Sequence, residues 1–200
     1  MTFNPTRLAL VAALAAGALT TAACGSMDSM DPMSSGAEAQ GTVMVGGAAM
    51  YPTRNIVENA VNSADHTTLV AAVTAAGLAP TLSGPGPFTV FAPTNAAFAK
   101  LPAGTVDTLV QPANRATLTK ILTYHVVPGR VSAADLTAQI RAGGGQARLT
   151  TVEGGLLTAS VRNGSVILTD EMGGVATVTQ ADVFQSNGVI HVTDTVSMPN

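Results

Sequence analysis

The eleven residues Phe88-Thr-Val-Phe-Ala-Pro-Thr-Asn-Ala-Ala-Phe98 constrain this chain most. Phe88, Val90 and Ala92 alternate with Thr89 and Phe91, the period of a half-buried strand. Pro93 has no N–H and holds Ala92 extended, so the strand stops there. Thr94 or Asn95 can accept from the free N–H groups of a new helical turn, whose apolar face opens with Ala97 and Phe98. Three of the five Phe lie here, in a chain without Trp. Aromatic rings bury the most area per residue, which makes this strand-to-helix corner a core element.

Upstream of the corner the pattern is helical. Asn55 and Glu58 have capping-box spacing and start a short helix running to about Asn62. Ser63 or Asp65 caps the next, where Leu69, Val73 and Ala76 form one stripe and Gly77 is placed to end it. Downstream, Asn114 caps a helix over 115–124, with Leu118, Ile121, Leu122 and His125 on its apolar side. Ser132 and Asp135 cap another through Ile140. From Gln146 the period changes to two, predicting strands over 147–152, 156–162, 165–169, 175–179 and 189–196. Asn163-Gly164 between two of them predicts a type I′ hairpin. Helices first and antiparallel strands last indicate an α+β fold.

Before this folded part the chain has a different composition. One Arg followed by the apolar run Leu8–Leu19 is too short for a membrane span and reads as a secretory signal, residues 1–23. Small residues leading directly to Cys24 resemble a bacterial lipoprotein box, in which the thiol is acylated; the alternative is cleavage near Ala23 and free secretion. Residues 24–50, rich in Gly, Ser, Ala and Met, read as a flexible tether preceding a domain over 51–200. Met27, Met30 and Met33 belong to that composition rather than to a Cu(I) site. The chain carries nine Lys+Arg against twelve Asp+Glu, a net charge of −3, and has no basic stripe, so nucleic acid is not an expected partner. Its single cysteine excludes an internal disulfide and a Cys-based zinc cluster.

Little in the sequence has the spacing that catalysis needs. His125, Ser132 and Asp135 contain the residue types of a triad, but no Gly-x-Ser-x-Gly elbow exists, and each has a local explanation as a helix-end or capping group. Three His (His66, read as lying at an exposed helix start, His125 and His191) are not at zinc-ligand spacing. Asp170 and Glu171, adjacent in a hairpin loop, read as solvated. No enzyme activity, cofactor or metal is expected.

Three blocks together resemble the fasciclin-like adhesion domain over roughly 55–199. They are Phe88–Phe98 (with Phe88, Phe91, Pro93, Thr94, Asn95 and Phe98), Leu122-Thr-Tyr-His-Val-Val-Pro-Gly129, and Asn187-Gly-Val-Ile-His-Val-Thr-Asp194 (with Asn187, Gly188 and His191). The resemblance implies a β-sandwich or wedge of antiparallel strands with several short helices packed along one edge. It also implies adhesion contacts at Tyr124 and His125, and at Asp182-Val183, which stands where the family has an Asp-Ile pair. From the residues alone, Tyr124-His125 reads first as a buried pair pinning a helix end, and His191 as a satisfied core or interface histidine.

The resulting expectation is a non-enzymatic, secreted or surface-anchored adhesion or matrix-binding module. Its partner would be an extracellular-matrix or cell-surface protein or glycan, with the membrane reached through a lipid on Cys24. The alternative is a small-molecule carrier or sensor with an apolar cleft in the same domain, using Tyr124, His125 or His191 as polar contacts.

Overall fold

The computed structural model describes residues 41–200; the expected signal and Cys24 lie outside them. A small hairpin, β1 (Val43–Val45) and β2 (Ala48–Met50), comes first. Helices α1 (Ile56–Ala60), α2 (Thr67–Ala76) and α3 (Ala79–Ser83) lead to strand β3 (Phe88–Pro93). After it come α4 (Asn95–Ala99), α5 (Thr105–Leu109), α6 (Arg115–Tyr124), strand β4 (Val126–Pro128) and α7 (Ala133–Ala142). The chain ends in β5 (Gln146–Thr150), β6 (Leu156–Arg162), β7 (Ser165–Thr169), β8 (Val175–Gln185) and β9 (Gly188–Thr193).

The hairpin corrects the expected tether, whose last residues are folded. Val-Met-Val and Ala-Ala-Met flank Gly46-Gly47, both at positive φ, as a two-residue primed turn requires. Val45 and Met50 are buried. Other local signals form as expected. Asn55 and Glu58 make a reciprocal capping box, as do Ser132 and Asp135. Gly77 ends α2 at φ 73°. Asn163 and Gly164 turn at positive φ between β6 and β7. Asn114 differs: its amide donates to the Thr108 carbonyl at 2.8 Å instead of capping α6.

The α+β class holds, but the strands form one seven-stranded sheet, order β4-β3-β9-β8-β7-β6-β5. That sheet curls until its two edges nearly meet: beyond β5, Val152 N–H donates to Val126 O of β4 at 2.8 Å. An almost closed barrel therefore replaces the expected sandwich. Nor is the sheet wholly antiparallel, because β3 pairs parallel with β9. Two bulges in β8 between Val178 and Val183 sharpen its bend.

The helices cover both faces rather than one edge. On one face, α1–α4 and α6 pack a core that includes Ile56, Leu69, Val73, Leu82, Phe98, Leu122 and, from the sheet, Val90, Ala92, Ile190 and Val192. Inside the curl, α7 brings Leu136 and Ile140 onto Phe91, Leu149, Leu157, Ala159 and Leu168. Strand β3 serves both cores, so Thr89 to Pro93 are all buried and the half-buried reading of this strand gives way to burial on two faces. A strand inside a sheet covered on both sides loses its exposed row.

Candidate functional site

The Phe88–Phe98 corner forms as its sequence dictates. Thr94 caps α4, its hydroxyl accepting from Ala97 N–H at 3.2 Å. Asn95 reaches sideways: its carbonyl accepts from Thr68 N–H at 3.0 Å and its amide donates to Ala64 O at 2.8 Å. It thereby supplies the missing cap of α2, whose own N-cap, His66, makes none. Phe91 is fully buried and stacks on His191, the residue paired with it across the parallel β3–β9 ladder, with ring centroids 5.5 Å apart.

Asn187 and Gly188 join four elements. The Asn187 side chain accepts from Ile56 N–H at 3.0 Å and donates to Leu82 O at 2.8 Å and Gly84 O at 3.0 Å, while its carbonyl accepts from Phe88 N–H at 3.0 Å. A Cβ on Gly188 would collide with the Phe88 carbonyl. This junction therefore needs glycine because β9 and the start of β3 approach so closely.

Tyr124 and His125 are buried, as their structural reading expects. Tyr124 Oη donates to Leu156 O at 2.7 Å and accepts from Glu171 N–H at 3.2 Å, tying together two loops at one end of the sheet. Burial, joined by Glu171, Asp170 and Glu153, pushes the phenol up to about 12 against the opposing hydrogen bond from the Glu171 backbone. His125 Nδ1 lies 2.8 Å from Ile121 O, and Nε2 accepts from Ser197 N–H at 3.0 Å, which places its proton on Nδ1. Burial holds its pKa below the ordinary value, outweighing the Ile121 carbonyl and nearby Asp170, which pull it up.

His191 is satisfied in the same way. Its Nε2 faces Val131 O at 2.9 Å and its Nδ1 accepts from Asp182 N–H at 3.3 Å. Burial lowers its pKa against the Val131 carbonyl and Asp182. Asp182 sits in the second β8 bulge at φ 58°, and its carboxylate accepts from Ala133 N–H at 2.7 Å, fixing the start of α7. Val183 is buried in the helix-side core. Tyr124 and His125 thus belong to the end of α6, and Asp182 and Val183 to β8.

The triad candidates have separate tasks: Ser132 and Asp135 cap α7, and both nitrogens of His125 are engaged elsewhere. Among the described residues no group of three or more His, Cys, Asp or Glu converges as a metal site. Asp170 corrects its solvated reading. It is buried and accepts from Met172, Gly174 and Met198 N–H groups at 3.1, 2.6 and 2.8 Å. Glu171 is exposed, with Leu156 N–H and Asn200 N–H holding its pKa low.

His66 is also placed wrongly by sequence reading. It is buried beside a cavity of about 50 Å³ in the helix-side core, lined also by Ile56, Leu69, Val73, Leu82, Val90 and Ile190. Ser63 Oγ lies 2.8 Å from its Nδ1; Nε2, on the far side of the ring, has no hydrogen-bond partner. A three-residue turn that folds back under the hairpin leaves no periodic signal that would expose this burial.

The sequence profile of the Fasciclin domain matches residues 64–199. This chain belongs to the fasciclin-domain family. Protein sll1483 of Synechocystis is 49% identical over 158 residues, covering 79% of this chain and 81% of its own. Cell surface glycolipoprotein MPB83 of Mycobacterium bovis is 42% identical over 124 residues, 61% of this chain and 48% of its own length. The solved FAS1 domain pair from the insect cell adhesion molecule Fasciclin I superposes with a TM-score of 0.64 at 17% identity, covering 72% of this chain and 50% of that one; at that identity the likeness is of fold. The three blocks read from the sequence fall within this match: one crosses between the cores, one buries Tyr124 and His125, and one forms the Asn187-Gly188 junction.

Proposed function

We propose that this fasciclin domain is a non-enzymatic adhesion module that contacts a protein partner through the two loops that Tyr124 ties together. The observation that carries this reading is the exposure of Val152, Leu156, Met172 and Val175, with Met172 65% exposed, around loops fixed from below by the Tyr124 hydroxyl. Large aliphatic side chains held out on pinned loops suit a protein surface. A glycan site calls for exposed aromatic faces, and the chain has two Tyr and no Trp, one Tyr being buried. In this reading the tyrosine-histidine block positions the contact without touching the partner.

Secretion and a lipid on Cys24 complete the proposal. The likeness to a mycobacterial cell surface glycolipoprotein supports that anchoring. Acylation with a second chain suffices for stable attachment, and many tethered copies would multiply weak single contacts. Mass spectrometry of the processed N-terminus reads the acylation directly; an unmodified or absent Cys24 rules it out. The contact is tested by adhesion of the chain to the producer's own envelope and to protein-coated matrix surfaces. A Leu156→Ser, Met172→Ser variant that keeps its fold should lose most of this adhesion, and unchanged adhesion would contradict the loop assignment.

A further inference from the structure

We propose that residues 195–200, after β9, form an acid-released strap that holds the loop carrying Met172 in place, so that acidification weakens adhesion. The effect on adhesion rests on the contact reading above; the release itself stands apart from it. Strand β9 ends at Thr193, and Asp194 N–H makes one more bond to a strand, to Thr177 O at 3.1 Å. Beyond that point ionisable side chains fasten the backbone. Ser197 N–H donates to His125 Nε2 at 3.0 Å, Met198 N–H to Asp170 Oδ2 at 2.8 Å and Asn200 N–H to Glu171 Oε2 at 3.3 Å. Pro199 has no N–H to place. Lys120 Nζ donates to the Asn200 carbonyl at 2.6 Å. Apolar packing adds Val196, buried in the helix-side core, and Met198, partly buried against it.

A hold of this kind depends on protonation, and His125 sets its first step. Its Nδ1–H already donates to Ile121 O, so a second proton can go only to Nε2, the atom that accepts from Ser197. Two N–H groups cannot share that position, and a protonated ring and a closed strap exclude each other. Burial keeps the enclosed ring neutral; released from the strap it meets water and returns toward its ordinary 6.5. Opening therefore takes up a proton below that pH and becomes easier as pH falls. Asp170 beside the ring favours the proton without relieving the clash. The other charges around the strap are engaged: Lys100 with Asp194 at 3.4 Å, and Lys120 with Glu153 at 3.8 Å. His66 lines the same cavity as His125 and is held neutral by burial. Glu171, kept low by the Leu156 and Asn200 N–H groups, adds a second proton below its ordinary 4.5.

The residues that hold the strap also shape the contact loops. Asp170 and Glu171 lead into Met172; Asp170 accepts from Met172 and Gly174 N–H, and Glu171 from Leu156 N–H across the neighbouring loop. Release of the strap turns one oxygen of each carboxylate to water and leaves the loops joined by the Tyr124 hydroxyl and the Glu171–Leu156 bond. Met172 and Leu156 then lose part of their fixed arrangement, and binding has to supply the ordering again.

The test follows amide exchange of the full chain by NMR from about pH 7 to about pH 4, corrected for the intrinsic rates. Protection of Ser197 and Met198 should fall by up to about tenfold per pH unit below about pH 6.5, and more steeply below about pH 4.5. Ala159 and Leu168, fully buried in the curl, should stay protected. In His125→Gln, whose side-chain oxygen can accept from Ser197 without titrating, protection should be flat down to about pH 5. Flat protection in the native chain, a loss shared equally by Ala159 and Leu168, or an unchanged slope in His125→Gln would overturn the proposal. If that variant does not fold, two readings decide: the nitrogen resonance of His125 Nε2 in the native chain must change with the same pH midpoint as Ser197 protection, and Glu171→Gln must remove the steeper loss at low pH. Adhesion to the producer's own envelope, measured alongside, should fall as the strap opens. Adhesion that persists with the strap open would overturn the coupling; adhesion already missing at neutral pH, with the strap opening as described, would contradict the contact reading alone.

Discussion

The two cores of this domain share strand β3 and differ in finish. Inside the curl, Phe91, Leu136, Leu157, Ala159 and Leu168 are sealed between sheet and α7, and the polar groups among them, Tyr124 and His191, are matched at both ends. On the helix side, five helices and a short hairpin meet one face of the sheet and leave a cavity and an unmatched His66 nitrogen. A sheet bending onto itself brings its own side chains together at regular spacing. Separate short helices from different parts of the chain fit a sheet less completely, and a gap is where that misfit collects.

The largest expected effect tests the curl. Phe91→Ala should cost about 3–5 kcal/mol in urea unfolding, because a fully buried ring lies among neighbours with little freedom to collapse. A loss below about 1 kcal/mol would place the core elsewhere. Gly188→Ala should approach that cost through backbone rather than cavity, since the new Cβ meets the Phe88 carbonyl and forces β3 from β9. Near-native stability there would show the parallel pairing to be looser than described.

A pH series comes next in size. His66, His125 and His191 all have folded pKa values held below the ordinary 6.5, by burial in each case. The unfolded chain therefore takes up protons first as pH falls. Stability from these groups is complete above about pH 6.5 and declines below it, by up to about 1.4 kcal/mol per pH unit for each imidazole. Replacing His191 by Gln should flatten that slope in the curl, and His66→Phe should flatten it on the helix side. A stability profile flat between pH 7 and 5 would contradict the burial of all three. A smaller effect is expected for Pro93→Ala, about 1 kcal/mol, through greater freedom of the unfolded chain.

What the sequence disclosed was local. The capping boxes at Asn55 and Ser132, the Gly77 stop, the Asn163-Gly164 turn and the alternating strands after Gln146 each depend on a few adjacent residues. The three blocks also led correctly to the fasciclin family. What stayed hidden was long-range. Parallel pairing of β3 with β9 joins segments about a hundred residues apart and leaves no pattern in either. Curling of the sheet follows from bulges that periodicity does not reveal. Asp170 looked like a solvated loop acid because the Met198 N–H that covers it arrives from the C-terminal segment. The β1–β2 hairpin did leave a signal, a Gly-Gly pair between short alternating runs, masked by the small-residue composition around it.

The candidate site was less legible than the fold. Tyr124 and His125 were identified as residues of consequence, yet their burial was one of two readings that spacing alone left open. His66 resembled an exposed helix-start residue, and only the packing of α1, α2 and the hairpin around it makes it the exceptional polar group of the helix-side core.

A matched pair of methylene insertions compares the cores most directly. Val90 of β3 lines the helix-side cavity and Val127 of β4 packs in the curl, on adjacent strands with similar burial. Val90→Ile should leave stability unchanged or raise it by about 0.5–1 kcal/mol by filling space, while Val127→Ile should lower it by about 1–3 kcal/mol through overpacking. Equal losses at both positions, or a gain at Val127, would mean that the two sides of the sheet are packed alike.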